Sequence, residues 1–116
     1  MSEISLKRDD YYSLNVDGVY VGGAWVGHTD FIKPKESMSE NDKVIMMFSI
    51  GEQFRGEGYG KTLMEKVVEA EKEKGAKTIR LAVLVENETA INFYKECGFI
   101  IDGNVDETMH YMWREL

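Results

Sequence analysis

Val44-Ile45-Met46-Met47-Phe48-Ser49-Ile50, followed shortly by Gln53-Phe54-Arg55-Gly56-Glu57-Gly58-Tyr59-Gly60-Lys61-Thr62, is the stretch that decides how this 116-residue chain folds. An apolar run of strand character gives way to three alternating glycines, flanked by an arginine and a lysine. Beyond them Leu63, Met64, Val67, Val68 and Ala70 recur at spacings of three and four, the stripe of an amphipathic helix that Gly75 stops. Strand, glycine loop and helix together turn bare backbone N–H groups toward phosphate. The plainer reading is a helix start that happens to be rich in glycine.

Spacing removes two nucleotide motifs. A Walker loop needs a glycine five residues before Gly60-Lys61-Thr62, and position 55 is arginine. A dinucleotide fingerprint starting at Gly56 would end on Lys61, and one starting at Gly58 on Leu63. Neither position is glycine.

Outward from the loop, Tyr11–Val16, Asp17-Gly18 and Val19–Val21 read as a hairpin whose second strand runs on through Gly27. Paired Gly22-Gly23 inside that strand suggests a bulge or a close backbone approach. Thr29 to Lys43, which contains Pro34, reads as a polar, mobile loop. Thr78–Val85 reads as an inner strand. Asn87 and Gly98 suit the N-cap and C′ positions of a second helix. Phe99–Ile101 begins a strand, Asp102 to Glu107 reads as a turn, and Thr108–Trp113 reads as the last strand. Trp25 and Trp113 read as core anchors.

Residues 1–116 suit a single domain, with 43% hydrophobic and 30% charged residues. Cys97, the one cysteine, reads as a packed thiol and argues against a disulfide framework or a cysteine metal site. No signal-peptide core and no apolar run long enough to span a bilayer is legible, so a soluble, cytoplasmic protein without a membrane partner is expected. The net charge of −7 argues against a nucleic-acid surface and leans toward cationic partners, although solubility alone explains it. No metal is expected.

What remains of the loop, Gln53-x-x-Gly56-x-Gly58, resembles the acyl-CoA pyrophosphate loop of the GNAT family of N-acetyltransferases. Asn87-Glu88-Thr89-Ala90-Ile91-Asn92-Phe93-Tyr94-Lys95-Glu96-Cys97-Gly98-Phe99 resembles the family's second motif, Asn-x-x-Ala-x-x-Phe-Tyr-x-x-x-Gly-Phe, at every defined position. The resemblance covers roughly Lys43 to Leu116. It implies an α/β (α+β) fold with a mixed, mostly antiparallel twisted sheet flanked by helices. It also implies transfer of an acetyl group from acetyl-CoA to a primary amine of a small amine, polyamine or protein. On it, Arg55, Gly56, Gly58, Tyr59, Gly60 and Lys61 hold the pyrophosphate, and Phe48, Ser49 and Ile50 present main-chain groups. Asn87 hydrogen-bonds the pantetheine arm, Ala90 leaves it room, and Tyr94 is the general acid for the departing thiolate.

Physical chemistry supports those roles. Glycines let an anion approach the main chain, and a helix N-terminus carries roughly half a positive charge. A tyrosine, with a reference pKa of about 10, keeps its proton at neutral pH. The structural alternative makes Asn87 only a cap and Tyr94 only a packing residue. For the general base, the resemblance points to Asp42, thirteen residues before Arg55. Glu40, His28, His110 and ordered water are the other candidates. Relatives usually carry two helices before the hairpin, whereas ten residues precede Tyr11 here. That suggests an open acceptor cleft, a wall made by Thr29–Lys43, or a homodimer. A non-catalytic acyl-CoA-binding module is the alternative to an enzyme.

Overall fold

The computed structural model describes residues 7–28 and 42–116, so Glu40, the side chain of His28 and most of the expected Thr29–Lys43 loop lie outside the described residues. Asp17 and Gly18, both at positive φ, join β1 (Lys7–Val16) to β2 (Val19–His28) in the expected hairpin. Then come β3 (Asp42–Ile50), a 3-10 turn (Glu52–Phe54), α1 (Tyr59–Glu73), β4 (Thr78–Leu84), α2 (Glu88–Glu96), β5 (Ile100–Asn104) and β6 (Met109–Glu115). The strands form one sheet in the order β1-β2-β3-β4-β6-β5. Every pairing is antiparallel except β3 with β4. This is the mixed, mostly antiparallel sheet expected.

The apolar stripe of α1 buries Leu63, Met64, Val67 and Val68, and α2 adds Ile91. They meet Ala24, Val26, Ile79, Leu81, Val83 and Met112 in one core. Strand side chains alternate between faces, so both helices cover the same side of the sheet. Trp25 and Trp113 sit outside this core, a departure from the sequence expectation. Trp25 meets Tyr11 edge-on at 5.8 Å, and the Arg80 guanidinium lies 5.5 Å from the Trp113 ring centre.

Both helices end in a Schellman motif. Gly75 and Ala76 donate to the Lys72 and Glu71 carbonyls, and Gly98 and Phe99 to those of Lys95 and Tyr94, each at 3.0 Å. Two boundaries differ from the sequence reading. Asp42 and Lys43 belong to β3, because they form the ladder with Thr78 and Ile79. β5 runs on to Asn104, because a register shift after Ile101 lets Asn104 pair with His110. Gly22 is a close approach, as expected: a Cβ there would overlap the Ser49 carbonyl oxygen.

The feature that shapes the rest is the β3–β4 junction. Only Asp42, Lys43 and Val44 pair with Thr78, Ile79 and Arg80. Beyond Val44 the two strands separate, and the stretch from Ile45 to Ile50 has no neighbouring strand on that side among the described residues.

Candidate active site

An edge opened in the middle of a sheet keeps N–H and C=O groups that no strand satisfies. Here the opening leads into a cleft of about 710 Å³ between the end of β3, the glycine loop, the first turn of α1 and one face of α2. Small-molecule sites commonly measure about 300–1,000 Å³. All twelve residues expected to hold the donor line this one cleft. They are Phe48, Ser49 and Ile50 from β3, Arg55, Gly56, Gly58, Tyr59, Gly60 and Lys61 from the loop and α1, and Asn87, Ala90 and Tyr94 from the α2 segment. Phe54, Thr89, Phe93 and Glu96 line it too; of these the sequence reading had only Phe93, as a motif position without a role.

The three loop glycines do different work. Gly56 and Gly58 have φ of 84° and 85°, in the left-handed region. A Cβ on either would meet nothing within 4 Å, so the space before them is open to a ligand. Gly58 is the N-cap of α1, and no side chain caps the helix there. The first N–H groups of α1 are thus available to an anion. Gly60 instead packs against α2. A Cβ at Gly60 would stand 3.0 and 3.1 Å from two carbons of the Phe93 ring.

Two cations frame the loop. Arg55 donates from Nε to the Ile50 carbonyl oxygen at 2.9 Å, which ties its charge to the end of β3. The Lys61 ammonium stands 3.6 Å from the Glu96 carboxylate.

On α2, the Asn87 Oδ1 accepts from the Ala90 N–H at 3.1 Å and caps the helix. Two turns on, Tyr94 sits among three rings: Phe93 at 5.4 Å, Phe99 at 5.8 Å and Phe48 at 6.4 Å between centres. Burial first, and then the neighbouring Cys97, push the Tyr94 phenol above its ordinary value. It therefore holds its proton at neutral pH.

The structure does not bring Asp42 to the cleft. It lies at the closed end of β3, about 23 Å along the strand from Ser49 at ~3.3 Å per residue. Its Oδ1 accepts from the Thr78 hydroxyl at 2.6 Å, in a buried setting. His110 is outside the cleft lining as well, with its Nδ1 2.6 Å from Asn104 Oδ1. Cys97 is buried, as expected of a packed thiol, and burial pushes that thiol up. Among the described residues, no group of His, Cys, Asp and Glu is placed to hold a metal ion, and no helix is long and apolar enough to cross a membrane.

The cleft fits an acyl-CoA on its own chemistry. Its mouth offers uncapped N–H groups and two cations for a pyrophosphate, its wall offers an unpaired strand edge for amides, and its interior is aromatic.

Known proteins are similar to this chain in sequence and in fold. A model of the acetyltransferase (GNAT) family matches residues 3–99, a span that takes in both motifs and the cleft. An uncharacterised N-acetyltransferase of Methanocaldococcus jannaschii is 32% identical over 101 residues, which cover 81% of this chain and 41% of that protein. The chain thus spans less than half the length of this relative. The PaiA N-acetyltransferase of Thermoplasma acidophilum, solved in complex with coenzyme A, superposes with a TM-score of 0.74 at 19% identity, over 90% of this chain and 58% of that one. Ard1 of Thermoplasma volcanium gives a TM-score of 0.70 at 29% identity, over 90% and 68%. By the family match over most of its length, the chain belongs to the GNAT family of acetyltransferases.

Proposed function

We propose that this protein transfers an acetyl group from acetyl-CoA to a primary amine of a small amine, a polyamine or a protein. One observation carries the reading: a single cleft joins an uncapped, glycine-lined helix start to a half-buried phenol that keeps its proton. The N–H groups at the start of α1, with Arg55 and Lys61, hold the pyrophosphate. The free edge of β3 at Phe48–Ile50 pairs with the amides of the pantetheine arm, and Asn87 and Ala90 flank it. When bound, acetyl-CoA supplies an acyl group already activated as a thioester. The neutral amine nitrogen attacks the thioester carbonyl and the C–S bond breaks; the Tyr94 hydroxyl gives its proton to the departing sulfur, and the proton lost by the amine passes through water and restores the phenol. Asp42 is tied to Thr78 at the closed end of β3, away from the cleft lining, and has no part as base in this reading.

Thiol release from acetyl-CoA across a panel of amines tests the reading. Amine-dependent release is expected, and Tyr94→Phe should lower kcat by about 100-fold with little change in KM for the donor. CoA binding without release on any amine would make the protein a binding module. No CoA binding would overturn the assignment.

A further inference from the structure

Lys61 and Glu96 each carry their charge at the unfavourable end of a helix. Lys61 lies in the first turn of α1, where the macrodipole is positive, and Glu96 closes α2, where it is negative. Helix stability accounts for neither placement. The two helix ends face one another across the cleft, and the ammonium stands 3.6 Å from the carboxylate. With side chains 57% and 63% exposed, the pair is weakly held and open to exchange. Glu96 is also the odd charge in its surroundings: beside it in the cleft lining stand the cations Arg55 and Lys61 and the uncapped start of α1.

We propose that Glu96 is a competitor built into the donor site. It holds Lys61 while the cleft is empty and yields it to a phosphate oxygen when a phosphorylated ligand arrives. The inference rests on reading the cleft as an acyl-CoA site. No bond is made or broken: the Lys61 ammonium turns from a carboxylate to a phosphate, and the carboxylate passes to water. Glu96 therefore loosens the grip on donor and CoA product alike and favours product departure. It acts through Lys61, so it is a positioning residue, and only ligands that carry phosphate feel it.

Calorimetric titration of CoA, and of pantetheine as the same arm without phosphate, into the wild type, Glu96→Gln, Lys61→Met and the double variant tests this. Glu96→Gln should bind CoA about threefold more tightly at low salt, the scale of an exposed ion pair. The gain should fade as salt screens the site. Pantetheine binding should not change, and the gain should vanish in the Lys61→Met background. An equal gain for pantetheine, a gain that survives Lys61→Met, or no gain while the wild type binds CoA overturns the proposal and leaves the donor site standing. A wild type that binds no CoA overturns the donor-site reading and this proposal with it.

Discussion

Helix α1 starts at Gly58 with no side chain capping its first N–H groups. About 20 Å further on, at ~1.5 Å per residue, the same helix is locked to β1 by polar side chains. The Tyr12 hydroxyl donates to Glu71 Oε2 at 2.7 Å, and Lys74 bridges Asp10 and donates to the Tyr12 hydroxyl at 3.4 Å. Between the two ends, Lys66 donates to the Ser13 carbonyl at 2.8 Å. Glu71 is wholly buried, and its backbone carbonyl closes the Schellman motif. An unmet polar group costs little where it faces an open cleft, and about 1–3 kcal/mol where it is buried. One end of α1 can therefore stay unsatisfied and wait for a ligand, while the other must be paired for the fold to hold. The contrast separates binding from stability along a single helix.

The largest effect that would break this comparison is at the open end. Gly58→Asp should reduce CoA affinity by at least about 100-fold by calorimetry, since it sets a carboxylate where we propose the pyrophosphate binds. Its backbone strain costs only about 1–2 kcal/mol, so thermal unfolding should remain cooperative. Unchanged CoA affinity would remove the loop from the donor site.

The paired end should give the opposite result. Glu71→Ala strips Tyr12 of its acceptor and opens a buried space, for an expected loss of about 2–4 kcal/mol in urea unfolding with CoA affinity unchanged. Glu71→Gln keeps a group able to bond both Tyr12 and Asp10, and it removes the titration. Burial first, and then the hydrogen bond with Asp10, push the Glu71 carboxyl above its ordinary value. The folded state then keeps a proton that the unfolded chain has released. Stability from this group is present below the ordinary carboxylate value and is lost as pH rises toward the raised one. Asp10 runs the other way: burial tends to raise it, but the bonds from Glu71 and Lys74 outweigh that and hold it low. Its contribution is present above the ordinary value and is lost as pH falls through the lowered one. Urea unfolding across pH should therefore show Glu71→Gln gaining on the wild type as pH rises out of the carboxylate range. A difference that stays flat would mean that Glu71 ionises in place at no cost.

The smallest effect sharpens the boundary between the two ends. Gly60 belongs to the open end by sequence and to packing by structure. Gly60→Ala should press on Phe93 and shift α2 by a few tenths of an ångström, lowering kcat roughly threefold while CoA affinity holds. A loss of affinity without loss of kcat would return Gly60 to the anion site.

Local chemistry was legible in the sequence, and long-range pairing was not. The glycine loop, the Asn87 cap, the Gly75 and Gly98 stops and the Asp17-Gly18 turn each rest on a few adjacent residues, and the structure has them where they were expected. The separation of β3 from β4 depends on where residues 36 positions apart stop pairing, which no local pattern encodes. Phe93 was legible as a motif position but not as a wall of the cleft, and Glu96 escaped notice, because their place there depends on how α2 lies against α1. A signal for Glu96 existed: an acid in the last turn of a helix opposes the dipole. Glu71 left one too, since it falls three and four residues after Val68 and Val67, on the buried stripe. Asp42 was offered as a base by position along the strand, and the structure shows that this position is the closed end.

That closed end sets the mechanics of the molecule. β1, β2 and β3 make one plate of the sheet, β4, β6 and β5 the other, and three residue pairs rivet them at one corner. Phe48–Ile50 belong to the first plate, while Asn87, Ala90 and Tyr94 hang from the end of the second. The cleft is in effect a jaw, and the buried bond from Thr78 to Asp42 lies at its hinge pin. The spread of the jaw is thus fixed at its far end, by residue pairs that lie outside the cleft lining.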